Sequence, residues 1–193
     1  MSDFVRTIAF CAVAILWCGT APDSSFAGLQ APANADSAAF DAFSKRMAGY
    51  TALQKKVSSG LPTVPAKPTP QQLDDYQRGL GQGIMQARRG AKKGDVFGTD
   101  MPAVIRRLLA PLFKGPEGAQ MRAAIIEEPH PVVPTVNARY PDDVPLSTMP
   151  PDVLRLLPKL EEGLEFRFVD RHLILLDVKS HLIVDVIDNA IPA

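Results

Sequence analysis

Residues 164–191 read LEFRFVDRHLILLDVKSHLIVDVIDNAI. Three short runs rich in β-branched, aromatic and aliphatic residues, 164–169, 172–178 and 181–187, alternate with polar pairs. Such runs suit a pleated, half-buried surface, and the pattern predicts three strands of an antiparallel meander. Asp170-Arg171 and Lys179-Ser180 are the expected turns, each a two-residue hairpin loop, with a three-residue loop as the alternative at the first because neither has an Asn-Gly or Asp-Gly signature. Two-residue loops set Phe168 opposite Leu173 and Phe166 opposite Leu175, then Leu175 opposite Val184 and Leu173 opposite Val186. One face then carries Leu164, Phe166, Phe168, Leu173, Leu175, Leu182, Val184 and Val186. A slip by one residue would mix the faces, so the apolar pattern favours this register. The other face, with Glu165, Arg167, His172, Ile174, Leu176, His181, Ile183, Asp185 and Ile187, is half apolar and calls for a partial cover; Arg167 and Asp185 flank Ile174 and are expected to pair across it. A three-stranded meander does not stand alone in water, so the rest of the chain must form its second layer.

The chain has 193 residues, about one domain's worth, and 22% charged residues, an ordinary globular composition. Residues 1–27 have the form of a signal peptide: Arg6 in a short basic region, an apolar run containing FCAVAILW, and Ser25-Phe26-Ala27 before the expected cleavage point, with Ala33-Asn34-Ala35 as the alternative. The apolar run is shorter than a membrane span, and Trp17 before Cys18 makes a poor lipidation site. Cys11 and Cys18 both lie in this leader, so the mature chain is expected to contain no disulfide and no transmembrane anchor. The expected location is periplasmic or secreted.

Residues 28–35 read as a flexible N-terminus and residues 36–128 as a helical region of about four helices. Phe40, Phe43, Met47, Tyr50 and Val57 form a core-facing stripe on the first helix, residues 36–58. Thr69-Pro70-Gln71-Gln72 is a capping box with proline at the first helical position, and opens a second helix with the stripe Leu73, Tyr76, Leu80, Ile84 and Ala87, weakened by Gly81 and Gly83. Residues 94–98, GDVFG, read as a turn before a third helix capped by Thr99 or Asp100, which Pro111 should kink or end early. Gly115-Pro116 opens the fourth. Residues 129–163 form a proline-rich connector in which Val132-Val133 and Thr135 to Ala138 offer an edge strand and residues 152–157 one helical turn. Residues 164–193 are the meander. The expected fold class is α+β, a helical N-terminal half packed on a small three-stranded antiparallel meander, with residues 36–193 as one domain.

Net charge is zero, which argues against bulk affinity for nucleic acid, yet the charges are segregated. Residues 36–114 carry thirteen Lys/Arg against six Asp/Glu, a surplus of seven positive charges; residues 115–193 carry seven against thirteen, a surplus of six negative ones. Two readings follow: the halves attract each other, or the basic half faces an anionic partner. The candidate anionic-partner surface is Arg88, Arg89, Lys92, Lys93, Arg106 and Arg107, with an anionic envelope component or an acidic protein as the partner class.

No catalytic, cofactor-binding or metal-binding set emerges from spacing. His130, His172 and His181 fit no metal motif, there is no mature cysteine or G-x-S-x-G elbow, and Gly79 to Gly83 lies inside a helix with no preceding strand, unlike a phosphate loop. Glu127-Glu128, Asp142-Asp143 and Glu161-Glu162 are adjacent pairs whose side chains diverge. The expected function is non-enzymatic binding or interaction; the alternative is a hydrolase or metal-dependent enzyme whose site is assembled from residues distant in sequence. The order of AKKGDVF, LLAPLFKGPEG, VNARYPDDVPLSTMPPDVLRLLPKL and LEFRFVDRHLILLDVKSHLIVDVIDNAIP resembles a family of uncharacterised exported bacterial proteins with a C-terminal β-meander, a likeness that spans nearly the whole mature chain and implies no activity, cofactor or site residue. The ending also loosely resembles short C-terminal β-modules of other small periplasmic proteins, some linked to metal homeostasis.

Overall fold

A computed structural model describes residues 27–126 and 132–192, with side chains from residue 35 onward. The fold is α+β, with helices in the N-terminal half and a three-stranded antiparallel sheet at the C-terminal end. The elements are α1 (Ala27–Ser58), α2 (Pro70–Ala87), α3 (Met101–Leu109), a 3-10 turn (Ala110–Phe113), α4 (Gly115–Ile126), α5 (Pro151–Leu156), β1 (Leu164–Val169), β2 (His172–Asp177) and β3 (Leu182–Ile187). The signal-peptide expectation lies outside the described residues. Residues 28–35, read above as flexible, continue α1 outward; the run is rich in alanine, the residue that loses least on entering a helix.

Several helix boundaries follow from local chemistry. The Thr69 hydroxyl accepts from the Gln72 amide at 3.2 Å while the Gln72 side chain accepts from the Thr69 amide at 2.9 Å, so the capping box satisfies donors at the start of α2. Pro111 does end the α3 helix early: from Ala110 the chain tightens into the 3-10 turn. At the far end of α2, Asn137 reaches over from the connector, and its side-chain N–H2 donates to the carbonyls of Met85 and Arg88, acceptors that a helix end leaves open. Gly81 and Gly83 fit close packing. A Cβ at Gly83 would come within 2.4 Å of Val57 on α1, and one at Gly81 within 3.0 Å of the Ser180 carbonyl.

The sheet has β2 in the centre. The first hairpin has the expected two-residue turn, with Val169 opposite His172, Phe168 opposite Leu173 and Phe166 opposite Leu175. Asp170 takes the left-handed conformation that such a tight turn requires, φ 52°. The second hairpin departs from expectation twice. Its loop is four residues long, Val178 to Ser180 plus His181, because the Asp177 carboxylate accepts from the amides of Lys179 and Ser180 and wraps the turn around itself. Beyond it the expected register holds for Asp177–Leu182 and Leu176–Ile183 and then shifts by one at a β-bulge, so that Leu175 faces Asp185 and Leu173 faces Ile187. Val186 therefore leaves the helix-covered face, and Asp185 and Ile187 enter it.

Two cores result. The larger lies between the helices and the sheet face of Leu164, Phe166, Phe168, Leu173, Leu175, Leu182, Val184 and Ile187. At its centre the rings of Phe43, Phe97 and Phe166 stack, with centroids 5.5–6.4 Å apart. The smaller covers the other sheet face, where Tyr140, Val136, Val144 and Leu146 of the connector pack on Val169, Ile174, Leu176, Ile183 and Val186. The connector also pairs with β3: the Asn137 and Tyr140 amides donate to the Ile183 and His181 carbonyls, and the Ile183 amide to Ala138, with Arg139 bridged to Leu182. The expected edge segment is thus present, displaced slightly toward the C-terminus.

The bulge decides the placement of Asp185, which is fully buried. Its carboxylate accepts four main-chain N–H groups, from Gly94 (2.9 Å), Val96 (2.8 Å), Phe97 (2.8 Å) and Val186 (2.8 Å). The expected Arg167–Asp185 pair does not form. Arg167 pairs with Glu165 on its own strand, and Asp185 points to the opposite side of the sheet. Gly94 and Gly98 supply the positive φ values, 89° and 80°, that curl the loop so its amides converge on the carboxylate. Asp185→Asn replaces an acceptor oxygen with a donor facing those amides. The expected cost is about 3 kcal/mol, hence a fall in Tm of roughly 6–12 °C, measured by thermal denaturation.

Candidate functional site

The six cations singled out from the sequence lie at the C-terminal end of α2, in the loop after it, and on α3, but they do not form one free surface. Arg88 is half-buried: both terminal nitrogens donate to the Val184 carbonyl, at 3.1 and 3.2 Å, and its guanidinium lies 5.2 Å from the centre of the Tyr50 ring. The carbonyl belongs to the bulged residue of β3, so Arg88 fills a ladder position that the bulge vacates. Lys93 forms an ion pair with Asp188 at 2.8 Å. Arg106 donates to the main-chain carbonyls of Asp188 (2.6 Å) and Asn189 (3.2 Å), and Arg107 pairs with Asp36 on α1. Three of the six thus bind the acidic C-terminal half, the first of the two readings of charge segregation. Arg89 and Lys92 are exposed, and neither has an ion-pair partner among the described residues.

Aspartates serve as the opposing anchors. At the turn end of the sheet Asp177 is fully buried and accepts the Tyr50 hydroxyl and the Gln54 amide, each at 2.7 Å, besides the two turn amides. Beside this anchor, α1, α2 and the β2–β3 turn enclose a polar cavity of about 360 Å³, with Thr51, Gln54, Ser58 and Tyr76 on its walls and Lys55, Lys179, Glu161 and Glu162 around it. The histidines sit at opposite ends of the sheet, each within hydrogen-bond distance of an aspartate: His172 and Asp188 at 3.0 Å, His181 and Asp142 at 2.9 Å. Asp142 also takes Arg139 at 2.7 Å and Arg78 at 3.1 Å, tying connector and α2 to the second turn. His130 and the Glu127-Glu128 pair lie outside the described residues. Among the described residues no three His, Cys, Asp or Glu side chains converge on a point where a metal ion would sit, and no helix is long and apolar enough to cross a membrane.

Sequence reasoning gave Asp177 no role and expected Asp185 to pair with Arg167, so it missed both anchors. The available signal was positional: Asp185 is an acidic residue inside an otherwise apolar strand, and Asp177 directly follows the apolar run Leu173 to Leu176. Compared with protein-family models, curated proteins and solved structures, the chain matches none.

Tyr50, Asp142 and Asp188 are among the groups that the charge environment shifts. Burial, and next the Asp177 carboxylate, hold the Tyr50 phenol protonated well above its ordinary value of 10.0. The Arg139 hydrogen bond, helped by His181, holds Asp142 below the ordinary 3.8. Burial pushes Asp188 up, but Lys93 and His172 more than offset it and leave it below 3.8. The raised Tyr50 value contributes stability that is complete below about pH 10 and lost as pH rises beyond it; the lowered aspartate values contribute stability present above about pH 4 and lost as pH falls through the native values. Tyr50→Phe, although weaker at neutral pH, is therefore expected to lose less stability than wild type between about pH 9 and 11, measured by denaturant unfolding at each pH. Lys93→Ala is expected to raise the Asp188 pKa, measured by carboxyl NMR titration; an unchanged value would mean the ion pair is not populated in solution.

Proposed function

We propose that this chain is an exported bacterial envelope protein that binds an anionic surface or acidic partner without catalysis, through the exposed cations at the end of α2. The observation that carries the reading is the division of labour among the six cations. Arg88, Lys93, Arg106 and Arg107 are tied into the fold, and Arg88 and Lys93 pin the two ends of a short segment on which the Arg89 and Lys92 side chains project into solvent with no partner of their own among the described residues. Unpaired charges on a fixed support attract an opposite surface at low entropic cost, over a range of about 8–10 Å at physiological salt. The leader-like N-terminal sequence, with its expected cleavage after Ala27, supports export to the periplasm or beyond.

Two measurements test the two parts. N-terminal sequencing of protein recovered from the periplasm is expected to start at Gly28, and a chain retaining residues 1–27 in the membrane would overturn export. Arg89→Ser/Lys92→Ser is expected to abolish salt-sensitive co-sedimentation with phosphatidylglycerol vesicles while changing stability by less than about 0.5 kcal/mol. Arg88→Ser is expected to lower Tm instead. Equal binding by wild type and the Arg89/Lys92 variant would sink the proposed surface.

A further inference from the structure

β1 is an edge strand, and its outer side is only partly closed. The Gly163 carbonyl accepts from Val178 next to β2, so by the two-residue alternation of a strand the main-chain groups of Glu165 and Arg167 face β2 and those of Leu164, Phe166 and Phe168 face outward. Two of these outward positions have one main-chain group each bonded within the chain. The Leu164 amide donates to Glu161 at 3.2 Å, and the Phe168 carbonyl accepts the Ser147 hydroxyl at 2.8 Å. Between them the Phe166 amide has no acceptor among the described residues, and the Phe166 carbonyl has only a stretched contact from Arg167 at 3.5 Å. This position opens into a groove of about 490 Å³ walled by Leu154, Leu157, Pro158 and Leu160, with Leu154 itself 48% exposed. An open edge position of this kind is a template for another strand.

The charges on either side of Phe166 say which strand fits. Glu165 and Arg167 are neighbours on the sheet face away from the helices and pair with each other; the Nε–H of Arg167 is buried and has no acceptor. We infer that the edge of β1 pairs antiparallel with β1 of a second copy of this chain, about a two-fold axis through Phe166. Residue pairs across such an axis are reciprocal. With Phe166 opposite its own copy, the two chains exchange two main-chain hydrogen bonds, and Glu165 of each copy faces Arg167 of the other. Four alternating charges then form one cluster, and the orphaned Arg167 donor meets a carboxylate. A shift of one pair toward Glu165 would set Glu165 against itself, and a shift the other way Arg167 against itself, both unfavourable when directly opposite. Charge complementarity thus selects a single register, and the two sheets join into one of six strands.

Sedimentation velocity across a concentration series tests this on the intact mature chain. Wild type is expected to dimerise by about 100 µM, as befits a small interface. Arg167→Glu sets like charges opposite each other twice and is expected to weaken the dimer at least about tenfold. The double exchange Glu165→Arg/Arg167→Glu restores opposite charges in the same register and is expected to restore the dimer. Circular dichroism melts of each variant separate loss of pairing from loss of fold, and amide exchange in unmodified wild type supplies a readout that needs no variant: the Phe166 amide should become protected as concentration rises. A chain that stays monomeric to about 1 mM, a dimer indifferent to Arg167→Glu, a folded double exchange that stays monomeric, or a Phe166 amide whose exchange ignores concentration would each overturn the inference.

Discussion

A single carboxylate that has no ion-pair partner among the described residues organises the junction between the two halves of this protein. Asp185 is surrounded by main-chain N–H groups, three from the loop between α2 and α3 and one from its own strand. Removing a charge from water is costly, and here four hydrogen bonds from fixed peptide dipoles offset the loss. The arrangement works only because β3 carries an extra residue at Val184. Without the bulge Asp185 would sit on the connector-covered face, the loop would lack its acceptor, and the Val184 carbonyl would not be free for Arg88. Bulge, buried carboxylate and half-buried arginine are therefore one device.

Asp177 repeats the logic at the β2–β3 turn with different donors, taking a phenol and a carboxamide from α1 where Asp185 takes peptide amides from a loop. Asp185 lies level with the Phe43–Phe97–Phe166 stack, because Phe166, Leu175 and Asp185 form one row across the three strands. Apolar contact supplies most of the attraction between layers, but it is non-directional. The aspartates supply direction, because each accepts only where its donors converge. This gives charge segregation along the chain a concrete meaning: basic groups of the helical half meet carbonyls and carboxylates of the sheet half at Val184, Asp188 and Asn189.

Much of the fold was legible in the sequence because it is locally encoded. The capping box of Thr69 and Gln72, the early stop at Pro111, the tight turn at Asp170-Arg171 and the face shared by Phe166, Phe168, Leu173 and Leu175 all depend on residues within a few positions of one another. The half-apolar outer face of the meander correctly implied a cover, which the connector supplies. The bulge was not legible. Its cause is a loop some ninety residues away, and a local pattern of alternating residues fits the unbulged register equally well. The candidate basic site was legible as a cluster and misleading as a surface, since which cations reach solvent depends on carbonyls that only the folded sheet presents.

The distance between partners also orders events in time. Tyr50 and Asp177, which meet in one hydrogen bond, are 127 positions apart. A ribosome making this chain releases α1 and α2 long before it releases the strands that cover them, so their apolar stripes wait with nothing to pack on. Contacts of such long range form late and leave the chain open to wrong associations meanwhile. A sequence whose keystone strand follows so far behind the helices it covers stays pliable until that strand emerges, a hazard in a crowded compartment and an advantage to any chain that must be threaded through a narrow passage before it folds.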